Sequence, residues 1–128
     1  MENDKNPLSP HLQIYRWQIS SLLSISHRIV GVINIIAITF ICIWVLYLNL
    51  GENNYKIVEA FLKSYLGKLL TISLCWTFSF HILNEIRHLA WDMGYGFDLK
   101  IAKITGLVVF FGSFLLTILF YIIGRNII

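Results

Sequence analysis

The sequence predicts an all-α membrane protein with three transmembrane helices and an N-terminal interfacial segment. Three observations carry that prediction. Hydrophobic residues make up 57% of the 128 and charged residues only 13%, with a mean hydropathy of +0.71; a soluble chain this short has too much surface to hide so much apolar material. Three apolar runs reach the roughly 20 residues that a helix needs to cross a bilayer core. Those runs also lack the alternation of strands, and lipid demands that backbone groups pair inside their own segment. A chain of this length is expected to form one anchor domain, 1–128.

The first span is read as about 29–50, where only Asn34, Thr39 and Asn49 are clearly polar. It is too long for the apolar core of a signal peptide and no small-residue cleavage site follows, so it is expected to insert and remain. A polar turn, Gly51-Glu52-Asn53-Asn54, comes next. From Tyr55 to Leu66, Ile57, Val58, Phe61, Leu62 and Tyr65 recur at helical spacing, with Lys56, Glu59 and Lys63 opposite. That pattern suits an interfacial helix or a helical extension of the second span, with Glu59 and Lys63 as an i,i+4 pair. The second span is about 66–89, apolar at first and carrying His81, Asn84, Glu85, Arg87 and His88 towards its end. A loop from Asp92 to Lys103 holds Gly94 and Gly96, and the third span, about 104–123, has no charge.

Lys and Arg flank the apolar runs rather than clustering, so no nucleic-acid surface is expected. Three spans put the termini on opposite sides. One side carries Lys5, Arg16, Arg28, Arg87, Lys100 and Lys103, the other Lys56, Lys63, Lys68 and Arg125. The excess on the first side predicts an N-terminus in the cytoplasm or matrix, as positive charge stays inside. Cys42 and Cys75 each sit within an apolar run, with no CxxC or Cys/His cluster. Both read as small buried hydrophobes, and the chain alone has no ligand set for an iron–sulfur centre or structural zinc. Trp17, Trp44, Tyr47, Trp76, Trp91 and Tyr95 read as belt or packing aromatics.

The chemistry concentrates at the end of the second span. His81, Glu85, His88 and Asp92 fall at i, i+4, i+7 and i+11, one stripe of a helix. Ionisable groups at membrane depth cost roughly 2.5–3.5 kcal/mol each on insertion scales, so they face protein, water or a ligand. His81 lies deepest; a neutral imidazole there can coordinate haem iron, or can hydrogen-bond a neighbouring helix. Arg87, His88 and Asp92 are explained equally well as snorkelling anchors. Ser24, Ser26, His27 and Arg28 stand where the chain enters the first span, and the second span returns to that side. The two groups should therefore meet at one depth, where an arginine and hydroxyls can bind an anionic head group, a propionate or a quinone oxygen, or where Arg28 serves only as a topological anchor.

Two motifs give these residues a family resemblance. Pro7-Leu8-Ser9-Pro10-His11-Leu12, then Ile14-Tyr15, are followed by Ser24-Ile25-Ser26-His27-Arg28 and Gly31; later come His81, Arg87-His88-Leu89, Asp92 and Gly94. In residues and spacing the chain resembles the cytochrome b anchor subunits of succinate dehydrogenase (succinate:quinone oxidoreductase, complex II), over essentially its whole length. The resemblance implies a role for each match. His81 corresponds to an axial ligand of haem b, the metal being the haem iron, with the other ligand on a second membrane anchor subunit. His27 and Arg28 correspond to residues near the haem propionates, Ser24 and Arg28 to the ubiquinone site, and Asp92 to an acidic residue close to that site. The implied partners are the second anchor, an iron–sulfur subunit and a flavoprotein subunit, in a bacterial inner or mitochondrial inner membrane. The anchor itself does not oxidise succinate.

The sequence departs from the family pattern at Asn6, where an arginine is usual, at Val30, where Ser or Thr is usual, and at Glu85, where Gly or Ala is usual. Glu85 is expected to turn towards Arg28 or a basic group of a partner subunit. Three other readings stay open at this level: a fumarate reductase anchor, a small transporter using Glu85 as a proton-coupled carboxylate, and an assembly subunit without cofactors.

Overall fold

The structure, a computed structural model, describes residues 17–127. The motif from Pro7 to Tyr15 and the expected N-terminal interfacial segment lie outside those residues. Four helices follow in order, α1 Ile19–Leu48, α2 Glu52–Lys63, α3 Tyr65–Asp92 and α4 Leu99–Ile127, and there is no strand among the described residues. Helices α1, α3 and α4 are long and apolar enough to cross a membrane.

The helix carrying the first span begins ten residues before Ile29, at Ile19. Ser24, Ser26, His27 and Arg28 therefore lie within α1 rather than at its mouth. Their polarity conceals a helical pattern in which Leu23, Val30, Asn34 and Ala37 form the buried stripe.

The amphipathic stretch is a separate helix. Glu52–Asn54, expected as a turn, form the first turn of α2 after Gly51, whose φ of 129° suits a residue without a Cβ. Ser64 then divides α2 from α3. Its hydroxyl donates to Phe61 O at 2.6 Å and accepts from Gly67 N at 3.1 Å, so one side chain closes the first helix and caps the second. The expected Glu59–Lys63 pair is present at 2.6 Å on the exposed face. The Glu59 hydrogen bond and charge hold the Lys63 ammonium above its ordinary pKa.

Helix α3 ends in a Schellman motif. Gly94 N donates to Trp91 O at 2.8 Å, Tyr95 N donates to Ala90 O at 2.9 Å, and Gly94 takes a φ of 87°. The short loop folds α4 back along α3, the most extensive of the helix contacts, while α1 packs mainly on α3. Leu23, Val30, Phe80 and Val109 form the apolar core.

Around that core are buried polar groups: Ser79, Asn84 and Ser113 are fully enclosed, and Asn34, Thr77, Arg87 and Thr117 nearly so. The outer surface is instead covered by exposed Ile, Leu, Val and Phe. This suits a lipid solvent, which supplies little drive to bury Leu and lets small hydroxyl residues bring helices close. Ser79, Ser113 and Thr117 bond carbonyls of their own helices at 2.7–2.8 Å, so none needs a partner across the interface.

Candidate functional site

Packing of α1 on α3 brings together groups 50 to 60 residues apart in sequence. The His27 and His81 rings stack with centroids 4.4 Å apart and planes 15° from parallel. The His88 ring lies 5.3 Å from His27 and meets Trp91 edge-on at 5.1 Å. Gly31 makes room for this arrangement, since a Cβ there would stand 3.3 Å from His81 Cε1.

Glu85 completes the group. Its Oε1 is 3.1 Å from His27 Nε2 and 3.8 Å from His81 Nε2. The carboxylate thus turns to the histidine pair and not, as expected, to Arg28. Arg28 is exposed on the adjoining face of α1 and Ser24 is half-buried one turn earlier. The reason is register: His27 lies on the same stripe of α1 as buried Leu23, Val30 and Asn34, whereas Ser24 and Arg28 lie beside it.

The site is polar without being satisfied. His81 Nδ1 is buried without a hydrogen bond, and the enclosed His27 Nε2 faces Glu85 Oε1 at 3.1 Å. Enclosed polar atoms are normally paired. The His81 nitrogen facing Glu85 is Nε2 rather than the unpaired Nδ1, and His27, His81 and Glu85 place one ligand atom each within 4.8 Å of one another. Asp92 does not join them. It is exposed at the last residue of α3, eleven residues and about 16 Å along the axis from His81.

The other face of α3 holds a residue whose role sequence reading missed. Arg87 is not a snorkelling anchor but is 6% exposed. Its Nε donates to Thr105 Oγ1 at 3.2 Å, its Nη2 donates to Ala102 O at 3.0 Å, and its guanidinium lies 4.0 Å over the Trp91 ring. The two hydrogen bonds tie α3 to the first turns of α4, while Trp91 belongs to α3 itself. The available signal was spacing, for Asn84, Arg87 and Trp91 follow one another at three and four residues along a single stripe.

Comparison with known proteins bears on this geometry. Residues 2–120 match the family described as succinate dehydrogenase/fumarate reductase transmembrane subunit. The chain is 42% identical over 120 residues to the succinate dehydrogenase cytochrome b556 subunit of Rickettsia conorii, covering 93% of both chains. It is 31% identical to the subunit of the same name in Paracoccus denitrificans, over 91% of this chain and 90% of that one. To the cytochrome b560 subunit of Reclinomonas americana it is 32% identical, over 94% of this chain and 88% of that one.

Proposed function

The chain belongs to the succinate dehydrogenase/fumarate reductase transmembrane subunit family, and from that premise we propose that it is the cytochrome b anchor of complex II, holding one side of a haem b and of a quinone pocket. The relatives' names, all succinate dehydrogenase, favour succinate oxidation with quinone reduction over the fumarate reductase direction. The single observation that carries the site assignment is the stacked His27–His81 pair, which joins the two motifs at one end of the bundle.

For a haem, His81 offers a partly exposed imidazole beside Gly31, and the 56%-exposed Glu85 side chain, whose Oε1 lies 3.8 Å from His81 Nε2 and 3.1 Å from His27 Nε2, would swing aside to admit it. His81 and a residue of a second anchor subunit would hold the haem iron, with His27 and Arg28 near its propionates. When bound, haem supplies a one-electron store beside the quinone.

Quinone reduction takes two electrons and two protons, and its oxygens gain negative charge on the way. Arg28 and the Ser24 hydroxyl would hold those oxygens with donors aimed in advance at the charge. Asp92, exposed at the water end of α3, would carry protons between solvent and that pocket. Succinate oxidation itself falls to flavoprotein and iron–sulfur partners on the N-terminal, cytoplasm or matrix, side. The apolar exterior of α1 and α4 suits lipid and a second anchor, and α2, with no buried residue, suits the interface.

A reduced-minus-oxidised spectrum of the purified complex tests the assignment. His81→Ala is expected to abolish the b-type signal while all subunits still co-purify. Retention of the signal removes His81 from the role. Arg28→Leu is expected to raise the KM for quinone with succinate oxidation by a soluble dye unchanged; an unaltered quinone KM removes Arg28.

A further inference from the structure

Helices α3 and α4 leave a groove of about 800 Å³ between them, on the face of α3 that carries Arg87. Leu83 and Ile86 line it from α3, and Val108, Gly112 and Leu119 from α4. From Thr105 to Leu119 it follows α4 for about 21 Å. Half of a hydrocarbon core is about 15 Å thick, so an acyl chain of one leaflet can lie along it. The end nearest the loop differs in character, being lined by Arg87, Trp91, Tyr95 and Thr105.

Arg87 gives that end an unanswered charge. It is 6% exposed, yet its hydrogen-bond partners are all neutral: the Thr105 hydroxyl, the Ala102 carbonyl and, at 3.5 Å, the Asn84 side-chain oxygen. A guanidinium carries five N–H donors, so one on each terminal nitrogen is left over. Among the described residues the ion pairs are His27–Glu85, His81–Glu85, Lys56–Glu52 and Lys63–Glu59, and Arg87 has none. Asp92 and Asp98 are exposed at this end, as are Lys100 and Lys103. Burying a charge without an opposite one is costly. Two spare N–H groups on one planar fork match two oxygens of a phosphate, and Trp91, 4.0 Å beneath the guanidinium, braces that plane.

We propose that this groove binds one anionic phospholipid, with its phosphate at Arg87 and one acyl chain along α3 and α4. The cation selects the head group and the apolar walls hold the chain. A free phosphate would leave the groove empty, and a zwitterionic lipid would bring its own cation towards the guanidinium. The site lies on the opposite face of α3 from the histidines and is independent of the haem and quinone assignments.

The test uses the assembled complex, equilibrated with vesicles of equal phosphatidylglycerol and phosphatidylcholine, extracted in mild detergent and weighed by native mass spectrometry. The parent complex is expected to keep one phosphatidylglycerol that Val108→Trp loses. Val108 is 64% exposed, so an indole there fills the path of the chain and leaves the hydrogen bonds of Arg87 in place. That lipid should be favoured over phosphatidylcholine by at least about fivefold, roughly the preference that one interfacial cation confers. Arg87→Gln should cancel the preference; if that variant does not assemble, Val108→Trp decides alone. Equal retention of the two lipids by the parent, or undiminished retention by Val108→Trp, overturns the proposal. Displacement by inorganic phosphate overturns it too, since the chain would then contribute nothing. A parent complex without the lipid, from which Val108→Trp sheds a subunit, gives the groove to a partner helix and likewise overturns it.

Discussion

Helix α3 carries polar residues on two faces, and the faces differ in how their hydrogen bonds end. Towards α4, Arg87 reaches a hydroxyl and a carbonyl, with its guanidinium over the Trp91 ring of its own helix. Towards α1, His27 and His81 stack with enclosed nitrogens left over and a carboxylate balanced between them. One face spends its polarity on joining helices, and the other holds it in reserve. An unpaired polar atom alone does not separate the faces, since Asn84 Nδ2 beside Arg87 is enclosed without a partner too; the gathering of two imidazoles and a carboxylate does.

Removing the guanidinium gives the largest expected effect. Arg87→Ala loses two side-chain hydrogen bonds to α4 and the stacking on Trp91. Polar contacts between membrane helices reach about 1.7 kcal/mol and cation–π contacts add about 1 kcal/mol, so a loss of about 2–3 kcal/mol is expected. Equilibrium unfolding in mixed micelles measures it. A loss under 0.5 kcal/mol, on the order of one average contact, would dissolve the distinction between the faces.

Gly106→Ala probes the same seam more gently. Its Cβ would stand 2.5 Å from Leu23 Cδ1 and 3.8 Å from Arg87 Nη2. Overpacking against Leu23, about 1–3 kcal/mol, exceeds the roughly 1 kcal/mol gained by removing a helix-interior glycine, so a net loss of about 1 kcal/mol is expected. The b-type spectrum should stay unchanged, which optical and unfolding measurements on one preparation will decide. A spectral change with no loss of stability would reverse the assignment.

Much of this was readable in the chain. Continuous apolar runs announced three membrane helices, and the His81–Asp92 stripe pointed to the part of α3 where His81, Glu85 and His88 meet His27. The start of α1 was hidden, because Ser20, Ser21, Ser24, Ser26, His27 and Arg28 lower the hydropathy of ten helical residues. The partner of Glu85 was hidden for a different reason: it depends on the rotation of α1 against α3, which puts His27 on the seam and Arg28 beside it. Arg87 was misread since a charge one turn from a helix end looks the same whether it snorkels to water or folds back onto α4.

Gly31→Ala is the smallest change and the sharpest counterpart to Gly106→Ala. The added Cβ would lie 3.3 Å from His81 Cε1 and 4.0 Å from Nδ1, a contact relieved by a shift of a few tenths of an ångström. The change also removes a glycine from a helix interior, which favours the helix by about 1 kcal/mol. The two effects oppose, so net stability should move by less than about 0.5 kcal/mol. The histidine cannot shift without altering its stacking on His27 and its distance to Glu85. Haem affinity and the position of the b-type absorption band should therefore change while the unfolding curve hardly moves, the reverse of the Gly106 result. Stability lost with an unmoved spectrum would mean that the α1 face is packing like the other, and that its unpaired nitrogens hold nothing.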